Sequence, residues 1–182
     1  NDLDEILPQG TNHIVYSGAL GEKQNPVKLY SFFDFSSKKM PKAEFHFFSE
    51  GKLFDQLRKN NSNQRIKFHH LVEDRNILEL YGRSTVQIIP QKEGTSKGSL
   101  PSKLPNLLVS GCNLMVITDS DSELEMLFKE YNLNNVVTSW DNLDLYKKLK
   151  EIIYRDAKAD FDQGNLLGCF QLNGLVEKII DR

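Results

Sequence analysis

Short apolar runs rich in β-branched and aromatic residues alternate along this chain with longer stretches in which apolar residues return every three or four positions. The first pattern predicts strands at 13–17, 45–48, 66–69, 86–90, 113–118 and, shorter, 135–138. The second predicts helices. One begins at Asn25 and Pro26, with Asn25 as N-cap, Pro26 at the first helical position and Val27, Leu29, Tyr30 and Phe33 as its apolar face. Leu53 and Leu57 mark a short helix, and Ile77, Leu78 and Tyr81 mark another, closed by Gly82. A helix over 102–110 carries Leu104, Leu107 and Leu108, with Pro105 in its first turn and Gly111 as its stop. Ser122 and Glu125 read as a capping box ahead of Leu127 and Phe128. Asp141 caps a helix carrying Leu145, Leu149 and Ile152, and 166–180 reads as one more. The segments before His13 and over 156–164 read as flexible.

Strands alternating with helices predict an α/β fold, a Rossmann-like doubly wound parallel sheet of about six strands with helices on both faces. Continuous apolar strands such as 114–117 agree, since strands of parallel sheets are buried on both sides. Ile14, Phe47, Phe68, Ile88 and Val116 are the expected sheet core.

Composition narrows the function classes. The 182 residues suit one domain, taken as 1–182. With 23 Lys and Arg against 25 Asp and Glu, the net charge of −2 argues against nucleic acid as a partner. The apolar run 114–117 falls far short of the roughly 20 residues of a membrane span. The acidic residues 1–5 do not resemble the positive start of a secretory signal. Cys112 and Cys169 stand far apart, which suits buried thiols in a reducing compartment, although one pairing stays open. His13, His46, His69 and His70 show no ligand spacing, so no structural metal site is expected.

In an open parallel sheet, ligands bind beyond the carboxyl ends of the strands, and four loops fall there. Loop 17–23 offers Gly18 and Gly21 for close backbone approach to an anion and Lys23 as a charge, or it is a tight turn with a solvated lysine. The irregular segment 91–101 and the start of the next helix gather Gly94, Gly98, Ser96, Ser99, Thr95 and Lys97, then Ser102 and Lys103. This group suits a diphosphate, or forms a disordered surface loop. The acidic run 119–123 could hold sugar hydroxyls through Glu123, or serve as a turn and cap. The run Phe68-His69-His70-Leu71-Val72 could edge a nucleobase pocket, or its paired histidines could simply end a strand.

Taken in order, these pieces resemble the C-terminal, nucleotide-sugar-binding half of GT-B glycosyltransferases of family 4. The run 14–21 is similar to the family's first strand and glycine loop, and 47–51 sits where members end a strand in a Gly-Asp-Gly-like turn. Residues 66–70 match the strand before the base pocket. Ile88-Ile89-Pro90-Gln91-Lys92, followed by Pro101-Ser102-Lys103-Leu104 and Ser110-Gly111, is similar to the colanic-acid-type exopolysaccharide subgroup. The likeness runs from about His13 onward. It departs where many members carry a Glu-x7-Glu pair: here those positions fall near Gly98 and at Asn106, and the usual Arg after the first glycine is Ala19.

The resemblance implies a retaining glycosyltransferase of bacterial surface polysaccharide synthesis, using a nucleoside-diphosphate sugar, with no cofactor and no metal requirement. It implies donor contacts from Gly18, Gly21, Lys23, Gly98, Ser99, Ser102, Lys103, Asn106 and Glu123; catalytic residues stay unassigned. It implies a lipid-linked or polysaccharide acceptor held by an N-terminal domain absent from this chain. The chain alone would then be inactive, cytoplasmic and, through that domain, peripheral at the inner membrane face. Two rival readings are a non-catalytic nucleotide-binding or regulatory module and half of a GT-B sugar-nucleotide epimerase. An epimerase requires carboxylates or histidines in its cleft.

Overall fold

A computed structural model describes residues 2–98 and 100–155. The predicted flexible segment 156–164, the predicted helix 166–180, Cys169 and Ser99 lie outside the described residues. Six strands, β1 (Asn12–Ser17), β2 (Ala43–Phe48), β3 (Ile66–His69), β4 (Val86–Pro90), β5 (Asn113–Ile117) and β6 (Val136–Val137), form one sheet in the order β3-β2-β1-β4-β5-β6. Every pairing is parallel, and register partners include Tyr16 with Phe47, Phe47 with Phe68, and Ile88 with Met115. The helices between them are α1 (Asp2–Ile6), α2 (Pro26–Ser37), α3 (Lys52–Asn60), α4 (Ile77–Arg83), α5 (Leu104–Val109), α6 (Glu123–Glu130) and α7 (Asn142–Ile153).

Successive strand residues point to opposite faces, and two apolar clusters result. On one face Ile14, Tyr16, Phe45, Phe47, Ile88 and Met115 pack with Leu29, Phe32 and Phe33 of α2 and Leu145, Leu149 and Ile152 of α7. Phe33 is fully buried, its ring centroid 5.1 Å from Phe45 and 4.9 Å from Phe47. On the other face Val15, Phe48, Ile89, Leu114 and Val116 meet α1, α4, α5 and α6. The expected Rossmann-like doubly wound sheet is therefore present. Phe68 is only half-buried, because β3 is an edge strand.

Several local expectations need correction. The segment before His13 contains α1, whose Leu3 together with Leu7 is buried against the second cluster. Asn25 precedes α2 in a left-handed conformation (φ 50°) and makes no side-chain cap bond. Gly82 lies within α4, and the helix stops at Ser84, whose Oγ donates to the Leu80 carbonyl at 2.7 Å. At α6, Ser122 accepts from the Glu125 N–H as expected, but the Glu125 carboxylate accepts from Asp121 N rather than from the cap's own N–H. Asp141 caps α7 by accepting from the N–H groups of Leu143 and Asp144. The chain's single tryptophan, Trp140, is nine-tenths buried beside α7 and donates from Nε1 to the Gln91 carbonyl at 3.3 Å. Among the described residues no helix is long and apolar enough to cross a membrane.

Candidate functional site

The strand order reverses direction between β1 and β4, which splits the loops leaving their carboxyl ends to opposite sides and opens a crevice there. A cleft of about 380 Å³ occupies this point. Its lining comprises an apolar set, Phe48, Ile89, Leu80, Ile77, Val72 and Leu71, and a polar and cationic set, Gly18, Lys23, Gln24, Gln91, Thr95, Ser102 and Lys103. No carboxylate and no imidazole lines it among the described residues. Such a division suits a ligand with a flat apolar end and an anionic end.

Gly18 makes the turn out of β1 possible. Its φ of +131° is a conformation that residues with a Cβ rarely adopt, while its N–H donates to the Phe48 carbonyl at 3.0 Å and its carbonyl accepts from Ser49 Oγ at 2.6 Å. The turn is thereby tied to the end of β2. Tyr16 closes it from below, its hydroxyl donating to the Ala19 carbonyl at 2.8 Å, and burial pushes that phenol's pKa upward. Lys23 follows in a 3-10 turn over Glu22–Gln24 and is exposed. Its carbonyl accepts from Lys92 N at 2.7 Å, which joins the first loop to the loop after β4.

Lys103 enters from the start of α5. Its Nζ donates to the Ser17 carbonyl at 2.7 Å and lies 4.8 Å from the centre of the Tyr16 ring. No carboxylate is paired with it among the described residues. Loss of hydration lowers its pKa from 10.5 to about 8. Behind it, Ser17 Oγ donates to Gln87 Oε1 at 3.2 Å and Gln87 Nε2 donates to Ser84 Oγ at 2.9 Å, so the buried polar groups at the back of the cleft are satisfied.

The structure brings Gly18, Lys23, Ser102 and Lys103 together around the cleft, whereas Gly21, Gly98, Asn106 and Glu123 do not line it. Gly21 N–H is taken by Gln24 Oε1 at 3.0 Å. Glu123 Oε1 accepts from Gly98 N–H at 2.7 Å, and Asp119 accepts from Gly94 N–H and from Ser96 Oγ. The acidic run thus fastens the loop after β4, and Ser96 is fully buried. Those hydrogen bonds, with Ser96 foremost, hold the Asp119 carboxyl below the usual range. Of the run 68–72, Leu71 and Val72 line the cleft, whereas His69 and His70 do not. Ile77 and Tyr81 also line it, although no motif singled them out; only their places on the α4 face could have.

No family model and no curated protein matches this chain. Solved structures do share its fold. An E. coli trehalose-6-phosphate structure bound with UDP-2-fluoro glucose is 11% identical, with a TM-score of 0.71 over 94% of this chain and 43% of the other. The α,α-trehalose 6-phosphate synthase of Burkholderia multivorans is 10% identical, with a TM-score of 0.69 over 94% and 41%. The C-terminal domain of a glycosyl transferase group 1 family protein, LpcC, from Francisella tularensis is 14% identical, with a TM-score of 0.66 over 92% and 88%. The chain spans well under half the length of the two trehalose-related proteins and most of the LpcC domain. At these identities the likeness is one of fold: a six-stranded parallel Rossmann-like sheet shared with glycosyltransferases.

Proposed function

We propose that this chain is the donor-binding domain of a retaining GT-B glycosyltransferase, with the cleft between β1 and β4 holding a nucleoside-diphosphate sugar. The observation that carries the reading is the ammonium of Lys103. It is desolvated, lacks a carboxylate partner among the described residues, and lines, with an apolar set of side chains, the cleft at the strand-order reversal. A diphosphate supplies the missing anion, and a base fits against Leu71, Val72 and Ile77. Lys23 and Ser102 line the same cleft. In the reaction these groups stabilise the departing nucleoside diphosphate without a metal ion, the electrostatic role of a preorganised site. The fold shared with a UDP-2-fluoro glucose complex and with a glycosyl transferase domain supports the reading.

The finer assignment, transfer in bacterial surface polysaccharide synthesis to a lipid-linked or polysaccharide acceptor, rests on the sequence resemblance. So does a cytoplasmic site of action at the inner membrane face, with the acceptor held by a separate N-terminal domain. A sugar-nucleotide epimerase half is disfavoured, because neither carboxylate nor imidazole lines the cleft among the described residues.

Calorimetry with UDP, GDP, their hexose conjugates, uridine, guanosine and inorganic phosphate tests the proposal. One nucleoside diphosphate and its sugar should bind with Kd of about 0.1–1 mM, about −5.5 to −4 kcal/mol. Lys103→Ala should weaken diphosphate binding by about 1–3 kcal/mol and leave nucleoside binding nearly unchanged. Inorganic phosphate binding as well as every nucleotide would refute it, and no gain from the sugar would favour a nucleotide-only module.

A further inference from the structure

A cluster of imidazoles lies on the other half of the β1–β2 pair, away from the cleft. In the register of these strands His13 is opposite Glu44, and His46 follows two residues along β2, so the three side chains leave the same face. His13 Nδ1 is 3.1 Å from His46 Nε2, and Glu44 Oε2 is 3.8 Å from the same His46 Nε2. All three ligand atoms lie within 4.8 Å of one another. His13 is 2% exposed and His46 fully buried, while the Glu44 side chain is about one-third exposed and opens the group to solvent.

We propose that His13, Glu44 and His46 bind one borderline divalent transition-metal ion of the zinc class. Two nitrogens and one carboxylate oxygen form a ligand set that zinc accepts, with a water in the fourth position. At metal–nitrogen bonds of about 2.0–2.1 Å, two imidazoles on a tetrahedral ion stand about 3.3 Å apart, so the observed 3.1 Å needs to open only slightly. The outer nitrogens of both rings already have partners. His13 Nε2 lies 2.8 Å from the Pro8 carbonyl, which can only accept, so this nitrogen carries the proton and Nδ1 keeps its lone pair. His46 Nε2 therefore donates its proton to His13 Nδ1 in the metal-free protein; a metal ion displaces that proton, and His46 then carries its N–H on Nδ1 and donates it to His69 Nε2, 3.2 Å away, an outer partner that fixes the second ring. Lys67, opposite His46 on β3, opposes a cation here, and Glu44 offsets it. His13 precedes Ser17 by four residues, about 13 Å along β1, and the His46 ring stacks on Phe48, a residue of the cleft lining, so the ion ties two strands together behind the cleft.

The full chain, freed of metal with a chelator, is titrated with Zn²⁺ by calorimetry and with Co²⁺ by visible absorption. One equivalent should bind, with a tetrahedral cobalt spectrum. At about 100 times Kd the ion should raise Tm by about 5–10 °C. Glu44→Gln changes a surface side chain and keeps the buried rings in place. It should weaken binding at least about tenfold, and His13→Gln should do the same or more. Absence of a cobalt spectrum and of a Tm shift at 1 mM metal would overturn the proposal. Binding unchanged in both variants would overturn it as well, by placing the ion elsewhere.

Discussion

Lys103 makes nucleotide affinity fall with alkalinity in a range where an ordinary lysine stays charged. Its pKa of about 8 means that about nine-tenths of the chains carry the ammonium at pH 7 and about one-tenth at pH 9. A bound diphosphate stabilises the ammonium, so binding above pH 8 must take up a proton. If only the charged form holds the diphosphate, affinity falls about tenfold from pH 7 to pH 9, or about 1.4 kcal/mol. The ligand's own ionisation cannot cause this fall, since a terminal phosphate with a pKa of about 6 is already ionised and gains charge, if anything. Calorimetry at pH 7, 8 and 9 in two buffers of different ionisation enthalpy measures both the affinity and the proton uptake. Lys103→Met, which keeps the bulk and removes the charge, should bind weakly at all three values and take up no proton. The same lysine leaves a mark on stability. Its folded pKa lies below the unfolded value of 10.5, so between pH 8 and 10.5 the unfolded chain binds more protons and this group's contribution to stability rises with pH. Wild-type affinity that stays flat between pH 7 and 9, or an equal fall in Lys103→Met, would refute the assignment of the anion to this residue.

Two further outcomes test the framework. Asp119→Asn should loosen the loop after β4, because the carboxylate holds Gly94 N–H and Ser96 Oγ; hydrogen exchange at residues 92–98 should quicken several-fold while β4 and β5 stay protected, and exchange unchanged there would show that other contacts hold the loop. Phe33→Ala removes a fully buried ring packed on Phe45 and Phe47 and should cost about 3–5 kcal/mol in urea unfolding; a loss below about 1 kcal/mol would mean that the cluster repacks.

Most strands were legible because a parallel sheet buries both sides of each strand. The apolar run at 86–90 coincides with β4, all of whose residues are buried. α1 was not legible. Five residues carry too little periodicity to read as a helix, and it exists through tertiary burial of Leu3 with neighbouring Leu7. The cleft's position followed from strand ends, and that rule brought loops 17–23 and 101–103 to one place. What the acidic run does was decided by pairings across about 25 residues of sequence, Asp119 with Gly94 and Ser96, and Glu123 with Gly98. No local spacing announces such pairs. The histidine cluster was invisible for the same reason: His13 and His46 are 33 residues apart, His46 and His69 are 23 apart, and only the register of β1, β2 and β3 unites them. Metal-ligand spacing along one helix or loop is the pattern sequence reading detects, and this cluster runs across strands instead.

The hydrogen bond between Trp140 and the Gln91 carbonyl gives the molecule an optical readout of its own. Gln91 lines the cleft, and the indole that donates to it is the chain's sole tryptophan. Excited at the red edge, where tyrosine does not absorb, the protein emits from one place, one residue behind the proposed anion site. A ligand that displaces the Gln91 backbone alters the dipole facing the ring and shifts its emission wavelength. Occupancy of the cleft can therefore be followed in solution without a dye or label.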